Sequence, residues 1–431
     1  MPPPNRGKEK KPSSQAEKSP SAEVKNQKKR PKNEISADTL KGFKYFPLLL
    51  DLLDSLAQHR DERDKAGNRV LFYDQYVLLL LLAMFNPAIT SLKGIQQASE
   101  LDKVKKLLGV NRTSVGALSS AGALFDADLM RDVVRELAKT IDQVPGTTRL
   151  GPVEQELLKG LTAVDGTLIR AVPRMVWALW VNDKNRAAKM HLQFEVFKSA
   201  PSDATVTVAG SSESAELRAN LQAGRLYVTD RGYYDLALFR AILDAKSSFI
   251  ARIRESAGLT GITELKVSQA ARDAGVVRDI IVEKLGTYSE DIVGRPLRVV
   301  FLEVTDRDEE KSTFLLATDR LDLPAELVAQ AYSYRWSIEL YFRWFKCTLG
   351  SRHLFAESQN GVEIQAYATL LASLLIVAWT GLEPTKRTWE MIQFYFMGWA
   401  TLEELERHLD KRRAEAAKPK VKKKTSEKTA R

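Results

Sequence analysis

The stretch from Tyr332 to Lys346 predicts a helix with one charged face that could hold a metal ion and phosphate groups. At about 100° per residue, four polar side chains fall within an arc of roughly 60°: Tyr332, Arg335, Glu339 and Lys346. Arg343 lies about 20° beyond the edge of that arc. An apolar stripe beside this face would dock the helix on a core; it consists of Ile338, Phe342, Phe345 and Leu349. A single carboxylate between guanidinium and ammonium groups could bind one metal ion and two or more phosphates.

The same charges could also form an ordinary solvated helix face. An Arg335–Glu339 pair, four residues apart, would then stabilise the helix by only a few tenths of a kcal/mol. The two interpretations differ in what they require elsewhere. A metal site would need further carboxylates elsewhere in the chain.

Asp165 meets that requirement in the middle of the apolar, β-branched run Leu161–Ile169. In a strand, Val164 and Leu168 share one face and Asp165 points to the other. A carboxylate on a buried strand is costly unless it is paired or bound to a metal ion. Asp165 is therefore a candidate metal ligand.

Asp230 meets it at the end of a second apolar segment, Leu226–Thr229, and is followed by Gly232 as a turn signal. The alternative is that Asp230 caps the helix predicted to begin near Tyr234. Both uses of an aspartate at this place are compatible with the sequence.

Three motifs resemble those of a known family. The spacing Y-x2-R-x3-E-x6-K between residues 332 and 346 resembles the signature of the DDE transposases of bacterial insertion sequences, specifically the insertion-sequence-four family. The segment T-D-R-G-Y at residues 229–233 resembles the second aspartate motif of that family, and the run around Asp165 resembles the first. The three matches occur in the order that the family has.

The resemblance implies a role for each of these residues. The three catalytic carboxylates, which would hold two Mg²⁺ ions, are Asp165, Asp230 and Glu339. The residues that would grip phosphates at the DNA end are Tyr332, Arg335 and Lys346. Such enzymes nick the ends of the element and join them to target DNA, in some members through a hairpin at the transposon end. They generally work as synaptic dimers.

The chemistry explains the residue types. Two divalent ions roughly 3.5–4 Å apart can activate the nucleophile and stabilise the leaving oxygen of a phosphodiester. Carboxylate oxygens suit Mg²⁺, which takes few protein ligands, and Mn²⁺ is expected to substitute. With four His and one Cys in the chain, a structural zinc site is not expected. The lone Cys347 excludes an intrachain disulfide and is consistent with the cytoplasm.

Further DNA contacts are predicted from aromatic and basic residues near these motifs. Trp336 lies about 40° from Tyr332 on the helical wheel and could stack on a displaced base or pack in the core. Arg343 borders the charged face. Arg252 and Arg254, two apart on a predicted strand, could line the DNA path or be ordinary surface charge.

The net charge of +10 is concentrated at the two ends of the chain. Residues 1–34 contain ten Lys or Arg and four Glu, and residues 411–431 contain ten and two, so residues 35–410 have a net charge of −4. Both ends are poor in apolar residues, and we expect residues 1–35 and 411–431 to be disordered. They would bind DNA non-specifically or serve only as solubilising tails.

The region between the tails predicts an α/β protein with a ribonuclease-H-like core. Residues 36–150 predict a helical DNA-binding domain, which a helix-turn-helix arrangement near residues 101–119 would serve; an all-helical packing domain would look the same. Residues 151–385 predict the catalytic domain, with strands alternating with helices and a β-rich insertion at about 256–320. Residues 386–410 predict a C-terminal helical segment.

Two apolar runs raise the question of a membrane. Tyr76–Phe85 is too short to span a bilayer, and the uncharged run Ala366–Leu382 is at the lower limit of length. Because Ala366–Leu382 follows the predicted catalytic helix and contains hydroxyl residues, a buried core helix is favoured. The basic N-terminal stretch has no apolar segment after it, so no signal peptide is expected.

The sequence therefore predicts a bacterial DNA transposase in the cytoplasm, associated with the nucleoid. Its expected partners are double-stranded DNA, namely the terminal inverted repeats of the element and the target, and a second copy of the chain. Two alternatives remain: a ribonuclease-H-like DNA nuclease without strand transfer, and a non-catalytic DNA-binding protein derived from a transposase.

Overall fold

A ten-stranded mixed β-sheet organises the described part of the chain. The computed structural model describes Leu53, Leu56 and residues 71–417, apart from positions 146, 149, 172–174, 176, 183–184, 288–289, 306–310 and 351–353. The predicted tail at residues 1–35 lies outside the described residues. Before the first strand, the described helices are α1 (Tyr73–Phe85), α2 (Leu92–Glu100), α3 (Asp102–Leu108), α4 (Val115–Leu124), α5 (Ala127–Thr140) and α6 (Pro152–Leu157).

The first part of the sheet comes from six strands with two α-helices between them. The strands are β1 (Leu161–Ala171), β2 (Leu179–Asn182), β3 (Asn185–Glu195), β4 (Ala200–Val208), β5 (Leu226–Thr229) and β6 (Ser248–Ile253). Helix α7 (Glu213–Ala219) connects β4 to β5, and α8 (Leu236–Asp244) connects β5 to β6.

Strand order identifies the core. β3 pairs antiparallel with β1 and with β4, whereas β5 pairs parallel with β1, and β6 parallel with β5. The order β4-β3-β1-β5-β6, with an antiparallel first half and a parallel second half, is that of a ribonuclease-H-like core. The predicted fold class is confirmed.

The predicted β-rich insertion continues the same sheet. Its elements are β7 (Leu259–Glu264), α9 (Gln269–Asp273), β8 (Val276–Leu285), β9 (Leu297–Thr305) and β10 (Lys311–Thr318). β10 pairs antiparallel with β6, and β9, β8 and β7 follow outward. Strand β7 is the outermost of these strands, and its residues are almost all exposed.

The remaining helices are α10 (Ala325–Ser333), α11 (Trp336–Gly350), α12 (Gln359–Thr380), α13 (Lys386–Phe396) and α14 (Leu402–Ala417). Helix α14 includes residues 411–417, which the composition placed in a disordered tail; that part of the prediction is wrong. Burial of Leu405 and Leu409 anchors the helix. Its last turns are held by charged pairs three residues apart and by a hydrogen bond from Arg413 Nε to the Thr380 carbonyl.

Helix α12 is long and apolar enough, by length and composition, to cross a membrane, yet 89% of its most apolar window is buried in the protein. It is the core helix expected from the run Ala366–Leu382. It packs against α1, α4 and α5 on one side and against β4 and α11 on the other. Tyr367 Oη donates to the Ala204 carbonyl of β4, and Asn360 Nδ2 donates to the Phe125 carbonyl at the end of α4. The N-terminal helices and the sheet therefore share one hydrophobic core.

A buried carboxylate joins helix α5 to strand β4. Asp203 is 1% exposed and accepts two hydrogen bonds each from Arg131 and Arg135, at 2.8–2.9 Å. We expect Asp203→Ala to lower the free energy of unfolding by about 2–3 kcal/mol, since it leaves two partly exposed guanidinium groups without their counter-charge. Urea denaturation followed by circular dichroism measures this effect. Asp132→Ala, which removes the exposed partner of Arg135, is the control and should cost less than about 0.5 kcal/mol; equal losses would contradict the prediction.

Candidate active site

Asp165 and Asp230 lie level with each other on neighbouring strands. In the parallel pair β1–β5, Ala163 is opposite Val228. Two residues further along, Asp165 is in β1 and Asp230 is directly after the end of β5. Because neighbouring strands are about 4.8 Å apart, the register brings the two aspartate backbones close together despite their separation in sequence.

The Asp165 carboxylate is held in an environment that disfavours its negative charge. Its side chain is 21% exposed, and Oδ1 accepts a hydrogen bond of 2.8 Å from the Gly166 amide. The pKa of Asp165 is raised to about 6, mainly by burial and also by the charges of Asp230 and Glu213, against the opposing effects of the Gly166 hydrogen bond and Arg335. A bound cation would relieve the same unfavourable potential.

Asp230 has the capping role that the sequence allowed, but not on a helix. Its Oδ1 accepts a hydrogen bond of 2.8 Å from Gly232 N and caps the short 3₁₀ turn Arg231–Tyr233. Helix α8 is capped separately by Asp235. The bond to Gly232 fixes the Asp230 carboxylate at the carboxyl end of β5, beside Asp165.

The stretch from Tyr332 to Lys346 is not one helix, so that prediction is wrong. Helix α10 ends at Ser333, residues 334–335 form a turn, and α11 begins at Trp336. The Tyr334 hydroxyl is 2.7 Å from Thr148 Oγ1, which ties the turn to the segment before β1. Ser333 and Ser337 hydroxyls donate to backbone carbonyls three residues earlier, and such bonds compete with regular helix.

Arg335 lies between strand β1 and helix α11. Its Nη2 donates to Glu339 Oε1 at 2.7 Å, and its Nη1 is 3.9 Å from Asp165 Oδ2. The guanidinium thus links the first and third predicted carboxylates. Its Nε is buried and has no hydrogen-bond partner among the residues that the structure describes.

The turn at residues 334–335 separates Tyr332 from the charged residues of α11. It is 7% exposed, packs edge-to-face on Phe314 with ring centroids 6.3 Å apart, and lies 6.0 Å beneath the Arg335 guanidinium. Burial raises its pKa. The structure therefore places Tyr332 under the site, where it supports Arg335.

The outer face of α11 presents three of the predicted DNA-binding residues. Lys346 is exposed, and the exposed Arg343 guanidinium lies 5.4 Å from the ring of Trp336, which is 45% exposed. Trp336 is therefore not a core tryptophan. The apolar stripe is buried as expected at Ile338, Phe342 and Phe345; the Leu349 side chain lies outside the described residues.

Arg252 and Arg254 do not share a strand face, because β6 ends at Ile253. The Arg252 guanidinium lies 3.5 Å from the centre of the Phe314 ring, next to Tyr332. Arg254 is exposed and lies 5.7 Å from the ring of Tyr234. The structure thus brings Arg252 to the site through the aromatic pair, and Arg254 to the loop that follows Asp230.

No group of three Asp, Glu, His or Cys side chains within the described residues is close enough to hold a metal ion, and Glu339 pairs with Arg335 instead. The donor set nevertheless suits a hard divalent ion, since it offers carboxylate oxygens around a buried, negatively charged centre. Rotation of the Glu339 side chain away from Arg335 is needed before it can take part.

Sequence reasoning missed Glu213 and Lys189. Glu213 is the first residue of α7, and its carboxylate lies 2.6 Å from Lys189 Nζ on β3. Its charge reaches Asp165, whose pKa it raises. Glycine directly after Asp165 was the one available signal, because Gly166 leaves the space into which both side chains extend.

Comparisons with known proteins identify the family of the chain. A family model described as a transposase DDE domain matches residues 156–375, a range that contains Asp165, Asp230 and Glu339. The chain is 29% identical over 217 residues to y4zB of Sinorhizobium fredii, which is named as a transposase; the match covers 50% of this chain and 60% of that protein, less than two thirds of its length.

A second relative is a Geobacillus stearothermophilus protein named as a transposase for insertion sequence element IS5377, 24% identical over 63% of this chain and 69% of that protein. Among solved structures, a piggyBac transposase synaptic complex with hairpin DNA superposes with a TM-score of 0.40 and 10% identity, covering 88% of this chain and 85% of that one. A likeness at that level relates neither the folds in detail nor the activities.

Proposed function

Because the chain belongs to the family of transposase DDE domains, we propose that it cleaves the ends of an insertion sequence and joins them to target DNA. The observation that carries this proposal is the level placement of Asp165 and Asp230 on β1 and β5, with Arg335 linking Asp165 to Glu339. The motif spacing around Arg335 further supports membership of the insertion-sequence-four family.

DDE transposase domains use divalent metal ions. We propose two Mg²⁺ ions held by Asp165, Asp230 and Glu339, with Mn²⁺ able to replace them. When bound, such a pair activates the nucleophile and stabilises the leaving oxygen at the scissile phosphodiester. The proposed donor set has three carboxylates and no histidine or thiolate, and Mg²⁺ prefers such oxygen ligands.

Arg335 acts in two states. Without DNA, its guanidinium neutralises Glu339 and approaches Asp165. When Glu339 turns toward the metal site, Arg335 becomes free to bind a DNA phosphate with two parallel hydrogen bonds. Its buried Nε, which lacks a partner among the described residues, is available for that contact. Tyr332 holds the guanidinium from beneath.

The exposed face of α11 would hold the DNA end next to the acids. Lys346 provides a charge for a phosphate, and the stacked Arg343–Trp336 pair provides a cationic aromatic surface on which a displaced base can stack. Arg252 and Arg254 extend this basic surface toward β6. Two copies of the chain would assemble on paired DNA ends in the bacterial cytoplasm, associated with the nucleoid.

We assign recognition of the terminal inverted repeats to residues 36–150. Helix α3 ends at Gly109, which has a φ of 60°, and α4 begins after the Ser114 cap, whose hydroxyl accepts from Ala117 N. The two helices pack with α2 in the short-helix pattern from which a helix-turn-helix is built. Residues 151–385 would then form the catalytic unit, and the basic tails would bind DNA non-specifically.

The test uses the full chain with a labelled duplex that contains the DNA flanking its own gene. With Mg²⁺, we expect nicks at the element end followed by joined products, and no products with EDTA or with a scrambled end. Cleavage without any joined product would instead support the plain nuclease. Binding without cleavage would support the non-catalytic DNA-binding protein.

A further inference from the structure

The Glu213 carboxylate lies against two glycines, each of which closely follows one of the two aspartates. A Cβ on Gly166 would lie 2.6 Å from Glu213 Oε1 and 2.7 Å from Lys189 Cε, so a side chain there would displace both groups. A Cβ on Gly232 would lie 3.0 Å from Asp230 Oδ1 and 3.0 Å from Glu213 Oε2. Those two carboxylate oxygens are therefore no more than twice that distance apart, which places Glu213 beside Asp230.

A buried tyrosine shares a small cavity with Glu213. Tyr233 is fully buried, and its hydroxyl has no hydrogen-bond partner among the described residues. Tyr233 and Glu213 line a cavity of about 10 Å³, which is the size of one water molecule. A buried phenol without a partner is costly, so a ligand or ordered water is expected beside Glu213.

We propose that Glu213 is a positioning residue of the divalent-ion site, and that its carboxylate, which lies against Gly166 and beside Asp230, accepts hydrogen bonds from the hydration shell of the ion. Mg²⁺ keeps several of its waters in protein sites, so acceptors beyond the direct ligands hold it in place. This inference rests on the metal-dependent function proposed above.

Lys189 competes with the ion for Glu213. Its Nζ is 2.6 Å from Glu213 Oε1, and both side chains are about one-fifth exposed, at 18% and 22%. Removing the lysine charge should therefore favour ion binding, whereas removing the glutamate charge should weaken it. If the pair only fastened α7 to β3, neither change would alter affinity for the ion, and both would lower stability alike.

The two substitutions are expected to change the affinity for the ion in opposite directions, and this difference is the test. In the full-length, DNA-free protein, Mn²⁺ binding is measured by electron paramagnetic resonance. We expect Glu213→Gln to weaken binding about tenfold and Lys189→Met, which keeps the length of the side chain, to tighten it several-fold. Glu156→Gln is the matched control, because Glu156 also pairs with a lysine, Lys159, but is 73% exposed; its affinity should be that of the wild type.

Unchanged affinity in both variants, or a change of the same sign in both, would overturn the inference. Circular dichroism without metal establishes folding, and if Glu213→Gln does not fold, Lys189→Met decides alone: tighter binding supports the inference and unchanged binding overturns it. The Asp165→Asn variant distinguishes failure of the proposed metal site from failure of the proposed role of Glu213. Wild-type Mn²⁺ binding in that variant would mean that the proposed metal site is wrong, whereas loss there with normal binding in Glu213→Gln would reject only the role of Glu213.

Discussion

Asp165→Asn is expected to abolish both cleavage and strand joining, with rates reduced by at least about a thousandfold. The substitution removes one carboxylate of the proposed metal site and changes the shape of the side chain very little. DNA binding should be retained or slightly strengthened, because a negative charge facing phosphates is lost. Folding should be retained as well, since burial already disfavours the charged form of Asp165.

Two measurements on the same preparation check this result. Binding is followed by mobility shift of a labelled transposon end without metal, and chemistry by product formation after addition of Mg²⁺. Asp244→Asn, which changes an exposed residue paired with Arg240 on α8, should behave as the wild type in both. An Asp165→Asn protein that cleaves at the wild-type rate would exclude Asp165 as a ligand.

Arg335→Ala is expected to slow the later steps of the reaction more than the first nick, by about a hundredfold for the joined product. The variant keeps all three carboxylates and the buried stripe of α11, but it loses the group that would grip the DNA end between steps. Lys346→Ala should also slow the later steps more than the first nick, but by a smaller factor, because Lys346 is exposed and contributes a single charge. A time course on a labelled end, scored separately for nicked, hairpin and joined products, shows the pattern.

Two further variants serve as controls for the Arg335→Ala and Lys346→Ala results. Glu339→Gln should stop every step, because it removes a proposed ligand, whereas Lys386→Ala, which changes an exposed lysine on α13, should stop none. If Arg335→Ala and Lys346→Ala slowed all products equally, the enzyme would not depend on these residues to retain its DNA end. The nuclease interpretation would then be preferred.

The positions of Asp165 and Asp230 could be predicted because each interrupts or follows a short apolar run, and such runs form buried strands. Strand β5 has the bounds of the second apolar segment, Leu226–Thr229. The alignment of the two acids, by contrast, depends on the register of β1 with β5, which no local pattern contains.

The break at residues 334–335 and the place of Glu213 could not be predicted, because both depend on distant partners. The turn is held by a hydrogen bond between the hydroxyls of Tyr334 and Thr148, which lies nearly two hundred residues earlier. Glu213 opens an ordinary capped helix, and only the folded chain brings it against Gly166 and Gly232. A helical wheel gives the correct relation of Arg335 to Glu339 and the wrong one for Tyr332, because the wheel assumes one axis.

Helix α12 has a consequence for any attempt to exchange end specificity between related enzymes. Helix α12 packs against the sheet and α11, and it also packs against α1, α4 and α5. A fragment that began at residue 151 would leave a row of leucines and alanines of α12 in water, and a chimera joined at that point would place a foreign helical surface against them. The N-terminal helices are therefore not an interchangeable cassette: a functional graft would have to carry α12 with them, although α12 lies more than two hundred residues further along the chain.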